Sequence, residues 1–524
     1  MTGENCQSLS GYARRDVDVV IVGSGPAGST YARMISDRAP HATVLLVDAG
    51  PAITTPPGRH SSTIADAAER DRAKALSQGP FESDGRPVEA AAADQEQPGL
   101  RGDGLFLMSD GDADTRDFPA GSASSNVGGM GSHWACCCPR PSGTERIDCI
   151  PTGDLDRAFL QAERLLDVSA ARFDTPVNGY VRGTLGSVFN PGRPTVLAVQ
   201  SMPVAGSRSG DTPVLHGPAV ILQDVFQRPR TNATLLQNTR ARRVVVEQGR
   251  AAGVELEDVD TGQAATIRAR WVVVAADALR TPQLLFASGI RPPALGRHLN
   301  EHAMLALMVE LTGTDLEPTR STEGGYALSN GPFASAGDGI TWIPFTGPDF
   351  PCSVQILHIN KHTLPPSLSA RTTGGPVIAA AAFVAKDVQW DDRVEFSETE
   401  LDWAGLPRMS FHYRLTAIDQ SRIATAQSVV TKISEIGNPL SDEVMSLPAG
   451  SSLHYQGTYR LGPRNDGTSV CDPNSEVWDV ANLFLAGNGL IPTETAANPT
   501  LTNVALATIG AEEIVRRLGD GPSR

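Results

Sequence analysis

A histidine and an asparagine near the carboxyl terminus carry the most specific chemistry in this chain. His454 sits in Leu453-His454-Tyr455-Gln456-Gly457-Thr458, and Asn498 sits in Ala497-Asn498-Pro499-Thr500. Oxidising an alcohol by hydride loss requires the hydroxyl proton to leave as the carbinol carbon gives up hydride. A neutral imidazole, with an ordinary pKa of about 6.5, suits that proton, and a carboxamide can donate to the same oxygen. Asn498 also stands where a helix N-cap belongs, with Pro499 at the first helical position, so capping alone would account for it. The helix from Leu501 would then direct its positive end at whatever lies above Pro499 and Thr500.

The other end of the chain offers a hydride acceptor. Val17-Asp18-Val19-Val20-Ile21-Val22 is an apolar run ending in glycine, the signature of a buried parallel strand. Gly23-Ser24-Gly25-Pro26-Ala27-Gly28 follows, then a helical stretch from Ser29 to about Arg38 and a second strand over Thr43 to Val47. In such a βαβ unit Gly23 permits the tight turn, Gly25 lets the backbone approach a pyrophosphate, and Gly28 lets helix and strand pack closely. Asp48, followed by Ala49, ends the second strand and can bind a ribose hydroxyl. The motif suits NAD and FAD alike.

Two further constellations contain histidine. In Val127-Gly128-Gly129-Met130-Gly131-Ser132-His133-Trp134-Ala135 the glycines allow close approach to a flat ligand. His133 there reads as a covalent flavin anchor, a polar neighbour of the ring, or a plain structural histidine. In His298-Leu299-Asn300-Glu301-His302 two histidines sit four apart, but the order is not His-Glu-x-x-His and no third ligand is evident, so no metal is expected.

These groups must be positioned by a large globular chain. The 524 residues allow two or three domains, and a net charge of −15 argues against nucleic acid or an anionic membrane as partner. The polar amino terminus has no apolar signal core, and no apolar run is long enough to span a bilayer. Seven cysteines, three of them contiguous at Cys136 to Cys138 and none in a Cys-x-x-Cys pair, point to a reducing cytoplasm. The Cys triplet reads as small apolar filler.

Leu235 to Asp258 reads as two antiparallel strands turning at 247–250, and Ala269 to Ala275, with Ala276 after it, as another buried strand end. Segments near 306–312, 340–345, 353–359, 376–385 and 408–415 suit a mainly antiparallel sheet, and Ile418 to Ile436 an amphipathic helix. The order predicts an α/β protein: a discontinuous Rossmann-like domain over 1–51, 115–150, 196–305 and 440–524, with an inserted α+β domain over 151–195 and 306–439. Residues 52–114 read as a surface insertion, part of it mobile.

At these motifs the chain resembles the glucose–methanol–choline (GMC) oxidoreductases, whose cofactor domain is of the p-hydroxybenzoate hydroxylase-like kind. Within them it resembles the pyranose oxidase branch, including bacterial glycoside 3-oxidases. The N-terminal glycines, Ala278-Leu279-Arg280-Thr281-Pro282-Gln283-Leu284-Leu285 and Asn498-Pro499-Thr500-Leu501-Thr502 match the superfamily. The Gly-Gly-Met-Gly-Ser-His-Trp run and Leu453-His454-Tyr455-Gln456-Gly457-Thr458-Tyr459-Arg460-Leu461-Gly462 match the branch. The resemblance implies FAD, with His454 and Asn498 as the catalytic pair beside flavin N5. It places His133 where fungal relatives attach FAD covalently, although bacterial relatives also bind it without that bond. It puts the backbone of Val244 or Val245 near adenine, Asn488 and Gly489 near the pyrophosphate or ribityl chain, and Gln355 toward the sugar. Fungal pyranose oxidases follow His-Trp with Thr. Ala135 stands there instead, which argues against a stabilised oxygen adduct.

The resulting expectation is FAD-dependent oxidation of a secondary ring hydroxyl, C2 or C3 of a glucopyranose or glycoside, to a ketone, with electrons passed to oxygen or a quinone. Alternatives are a GMC-type alcohol oxidoreductase for a non-sugar or an antibiotic intermediate, a non-catalytic flavin-binding or redox-sensing protein, and a colourless NAD-linked dehydrogenase. Oligomeric state is left open.

Overall fold

The computed structural model describes residues 9–12, 15–66, 68–70, 72–73, 106–108, 113–210, 212–228, 231–312, 316, 336–359, 364 and 366–519. Its centre is a parallel layer grown on Val17–Val22, which pairs with Val44–Val47 on one side and with the end of Ala264–Val274 on the other. Ala233–Leu236 and Leu483–Leu485 add at the edges, also parallel. The near-continuous apolar sequences follow from burial on both faces. Val19, Ile21, Leu46, Val273 and Phe484 turn to one face, where they join Tyr31, Ile35, Ala507 and Ile514 of the helices Pro26–Arg38 and Thr500–Gly519. Val20, Val22, Leu45, Val272 and Leu485 turn to the other. The start of Ala264–Val274 leaves this layer to pair with Arg250–Asp258, which in turn pairs with Thr239–Glu247, both antiparallel.

A second sheet is antiparallel, in the order Gly437–Pro439, Ala303–Leu311, Val377–Val384, Cys352–Ile359, Ala336–Ile343 and Gln200–Ser201, with Met445–Ser446 also beside Ala303–Leu311. Alternation decides what each face does. Leu305, Leu307, Val354, Ile356, Ala380 and Ala382 pack under the helices Pro176–Phe189 and Ala417–Ser434, through Val181, Leu185, Val430 and Ile433. The opposite face carries Met304, Gln355, Leu357, Ala381 and Phe383, which look back toward the parallel layer across a cavity.

Several expected boundaries shift. Gln200–Ser201, Ala303–Leu311 and Met445–Ser446 reach into the antiparallel sheet, whereas the helix Thr152–Leu166 packs on Thr500–Gly519 of the cofactor side. Arg393–Leu401 and Pro407–His412 leave that sheet for a three-stranded one with Ala113–Asp114, against the helix Asp277–Ala287. Alternation identifies a strand but not its partner. Residues 74–105 of the expected insertion lie outside the described residues. Its beginning is not a surface excursion: Thr54, His60 and Ser61 are buried, and His60 Nε2 lies 2.9 Å from the Trp134 carbonyl oxygen.

Candidate active site

The cavity between the two layers has a volume of about 520 Å³, and every wall of it carries residues singled out by sequence. At one end lies the glycine turn. Gly23 has φ +97°, and a Cβ there would sit 2.3 Å from the Ala275 carbonyl oxygen. A Cβ on Gly28 would lie 1.9 Å from the Gly23 carbonyl oxygen, so Gly28 packs beneath the cavity rather than lining it. Gly25 differs: the nearest protein atom to its Cβ would be the Gly128 carbonyl oxygen at 3.9 Å, so the space beside it belongs to the cavity. Pro26 and Ala27 complete this rim at the helix start, where the backbone N–H groups of the first turn have no helical acceptor and suit an anion.

Asp48 and Ala49 line the same end. Asp48 Oδ2 accepts from Ser24 N at 3.0 Å and from Ser24 Oγ, and its Oδ1 accepts from Gly50 N at 3.0 Å. Burial pushes this carboxyl up to about 6, against the pull of the Ser24 and Gly50 donors. A carboxylate accepts roughly four hydrogen bonds, so one acceptor position is left for a ribose hydroxyl. Ala275 and Ala276 close the strand ends. The cavity does not reach Val244 or Val245, where the backbone was expected near adenine. Val244 is buried in the core with its N–H donated to Ser288 Oγ, and the cavity meets Thr239, Arg240 and Ala241 instead. A register irregularity between Ala241 and Arg243 separates the two parts of the strand.

The second glycine cluster forms the middle wall. Gly128 and Gly129 take positive φ, and the short 3₁₀ turn Gly129–Ser132 brings Met130, His133, Trp134 and Ala135 to the cavity. Gly128 N donates to Ser24 Oγ at 2.8 Å, which ties the two glycine turns together. His133 Nε2 lies 3.3 Å from Asn126 Oδ1, and Trp134 Nε1 donates to the His216 carbonyl at 2.8 Å. Across from them Asn488, Pro499, Thr500 and Asn503 form a rim at the start of the last helix. Asn488 Oδ1 and Asn503 Oδ1 are buried there without a protein partner. Gly489 does not reach the cavity; it lies against the Tyr459 ring, which a Cβ would meet at 2.1 Å.

His454 and Asn498 meet at the far end. Asn498 Nδ2 is 3.3 Å from His454 Nε2, and Gln355 Nε2 donates to Asn498 Oδ1 at 2.6 Å. Gln355 Oε1 accepts in turn from the Cys137 thiol at 3.5 Å. Asn498 therefore does not cap the helix: its oxygen belongs to Gln355, and the Pro499 carbonyl receives the first helical N–H, from Asn503. Two buried carboxyls fix the backbones that present the pair. Glu145 Oε1 accepts from Ala496 N and Ala497 N, and Glu301 Oε1 accepts from Ser452 N at 2.7 Å. On its other side His454 Nδ1 lies 3.0 Å from His302 Nδ1, and the Phe383 ring packs at 5.1 Å between centroids. Burial, and then His302, hold the His454 imidazole well below the usual histidine range, and burial pushes His302 down to about 3. Both effects favour the neutral form of the His454 imidazole.

His298 and His302 part company. The chain between them is not helical; His298 packs edge-on to Trp390 at 5.1 Å while His302 faces His454. Sequence reasoning missed His302 as a neighbour of the base, along with Cys137, Glu145, Glu301, Phe383 and Met304. Only the alternation of residues 353–359 and 376–385 signalled that Gln355 and Phe383 share one face.

The donor set fits FAD. A helix start and an uncrowded Gly25 suit a pyrophosphate, Asp48 suits a ribose, and orphaned asparagine oxygens and a second helix start stand beside a flat space walled by glycines. Comparison with known proteins agrees. GMC oxidoreductase family models match residues 220–304 and 391–507. A C-glycoside 3-oxidase of Microbacterium trichothecenolyticum is 44% identical over 508 residues, covering 95% of this chain and 96% of the relative. A pyranose 2-oxidase of Tricholoma matsutake is 29% identical over 545 residues, covering 96% and 94%. Among solved structures, formate oxidase of Aspergillus oryzae superposes with a TM-score of 0.63 at 15% identity, covering 96% of this chain and 99% of that one.

Proposed function

The chain belongs to the GMC oxidoreductase family and is an FAD-dependent enzyme acting on CH–OH donors, and we propose that it oxidises the C3 hydroxyl of a glycoside to a ketone. One observation carries the chemistry: His454 Nε2 and the Asn498 amide nitrogen, 3.3 Å apart, face the cavity end that the antiparallel sheet closes. A carbinol oxygen placed between them gives its proton to His454 Nε2 and accepts from Asn498 Nδ2. The C–H bond then breaks with its electron pair leaving as hydride, and the carbon–oxygen double bond forms. When bound, FAD supplies the acceptor for that hydride. Gly25, Asp48, Asn488 and the two helix starts would hold it, with Met130 to Ala135 beside the ring.

Substrate class rests on two supports. The relative named for C3 oxidation of C-glycosides matches at 44% identity, against 29% for the pyranose 2-oxidase. The wall formed by Met304, Leu357, Ala381 and Phe383 is apolar, which suits an apolar aglycone attached to the sugar. Oxygen is the proposed electron acceptor, with a quinone as the competing outcome. The described cysteines are free and most are buried, which supports a reducing cytoplasm as the proposed location; no helix among the described residues is long and apolar enough to cross a membrane.

The test is anaerobic bleaching of the flavin by a panel of C-glycosides, O-glycosides, free glucopyranose and non-sugar alcohols, with NMR of the product. A glycoside should bleach it and yield the 3-ketone. Bleaching by non-sugar alcohols alone would transfer the site to another substrate class, and bleaching by none would leave a flavin-binding module without turnover. Reoxidation rates with oxygen and with benzoquinone decide the acceptor.

A further inference from the structure

We propose that His302 is a positioning residue for the catalytic base: it fixes the tautomer of His454 by accepting a hydrogen bond from its Nδ1. This rests on the function proposed above only for the assignment of His454 as base. The evidence is the polarity of one continuous chain of contacts. Gln355 accepts from the Cys137 thiol, so its amide nitrogen is turned to Asn498, at 2.6 Å. That leaves Asn498 with its nitrogen, a donor only, 3.3 Å from His454 Nε2. His454 Nε2 must therefore be the bare nitrogen, and the ring proton must sit on Nδ1. The atom 3.0 Å from that proton's nitrogen is His302 Nδ1, which must then be bare and accept. His302 in turn carries its proton on Nε2 and directs it at Thr495 Oγ1, 3.3 Å away, while Thr495 Oγ1 donates its own proton to Gln456 Oε1 at 3.0 Å. The Gln456 amide nitrogen, itself a donor, also stands 3.3 Å from His302 Nε2, and in this arrangement that approach is a contact and not a hydrogen bond.

The consequence concerns the strength of the base. A carboxylate in the place of His302 would favour imidazolium and raise the affinity of His454 for a proton. A buried neutral imidazole gives orientation without charge. The groups facing His454 are His302, Asn498 and the Phe383 ring, with Gln355 behind Asn498. The nearby carboxyl, Glu301, is committed to the Ser452 backbone on the loop that carries His454. The design yields a base that is free at neutral and mildly acidic pH and readily sheds the proton it takes from substrate.

Two measurements test it. In FAD-loaded protein labelled with ¹⁵N-histidine, with His454→Ala used to assign the signal, His454 should show the Nδ1–H tautomer without any substrate present. An Nε2–H tautomer overturns the proposal whatever the substrate proves to be. In anaerobic flavin reduction, His302→Leu should slow the step roughly 10²-fold by releasing the tautomer. His302→Asn, which retains an acceptor, should recover most of the rate, and His302→Asp should move the acid limb of the rate to higher pH. Unchanged rate and pH profile in His302→Leu would overturn the proposal. Failure of every glycoside to bleach the wild-type flavin would count against the function proposed above, while the tautomer result would still decide the role of His302.

Discussion

The reacting centre is a small polar chain set in an apolar wall. Because His454 is held below the ordinary histidine value of about 6.5, its free-base form persists as pH falls through that value. Anaerobic flavin reduction should therefore be flat from pH 8 to 6. A fall to about one tenth of the plateau by pH 5.5, as an ordinary histidine would give, contradicts the assigned environment. Gln355 acts through Asn498, so Gln355→Leu should keep FAD bound but slow flavin reduction about 10-fold or more as the amide loses its orientation. Stopped-flow reduction together with the visible spectrum checks both halves of that statement. His133 Nε2 faces Asn126 Oδ1, so we expect the flavin to leave with the supernatant on acid precipitation; colour retained in the pellet would show a covalent bond. At this scale His454 and His133 could be picked out beforehand because histidine is scarce, with 10 in the chain, and Asn498 and Asp48 because their flanking residues are specific. His302 could not, because four-residue spacing brings side chains together only on a helix, and none forms there.

The glycines act at the level of elements, and each has a different reason to be small. Gly28→Ala drives a methyl group into the Gly23 carbonyl and should prevent folding. Gly25→Ala meets no protein atom closer than the Gly128 carbonyl oxygen at 3.9 Å, an ordinary contact, so it should fold and melt like the parent apoprotein yet bind FAD far more weakly. Circular dichroism and a flavin titration separate these outcomes; tight FAD binding by Gly25→Ala would place the pyrophosphate elsewhere. Glu145→Ala strips the buried Ala496 and Ala497 N–H groups of their acceptor, at about 1–3 kcal/mol for each group left unpaired, and loosens the segment leading to Asn498. It should lower both thermal stability and the rate of flavin reduction. Strands and helices near the glycine motif follow directly from apolar runs and turn residues. The limit of the cavity at Thr239–Ala241, short of Val244, did not, because a register irregularity between Ala241 and Arg243 leaves no mark in hydrophobicity.

At the scale of the molecule two seven-stranded sheets face each other across the cavity, and this explains why domain limits were hard to place. Strands of the antiparallel sheet come from residues as far apart as Gln200 and Ser446, and the helix Thr152–Leu166 returns to the cofactor side. Which sheet a strand joins is decided by pairing over long sequence separations, not by its own alternation. Since the cavity draws on both layers, FAD at 1,000-fold over its Kd should stabilise the folded chain as a unit by about 4 kcal/mol, raising Tm by about 4 °C in a single transition. Two transitions with only one shifted would mean that the layers melt independently. The central claim is that the imidazole of His454 removes the substrate proton at the end of the flavin cavity. Anaerobic mixing of yellow wild-type and His454→Ala proteins with the same glycoside tests it most directly: the wild type should bleach and the variant should keep both its FAD and its colour, whereas bleaching of the variant at the wild-type rate would contradict it.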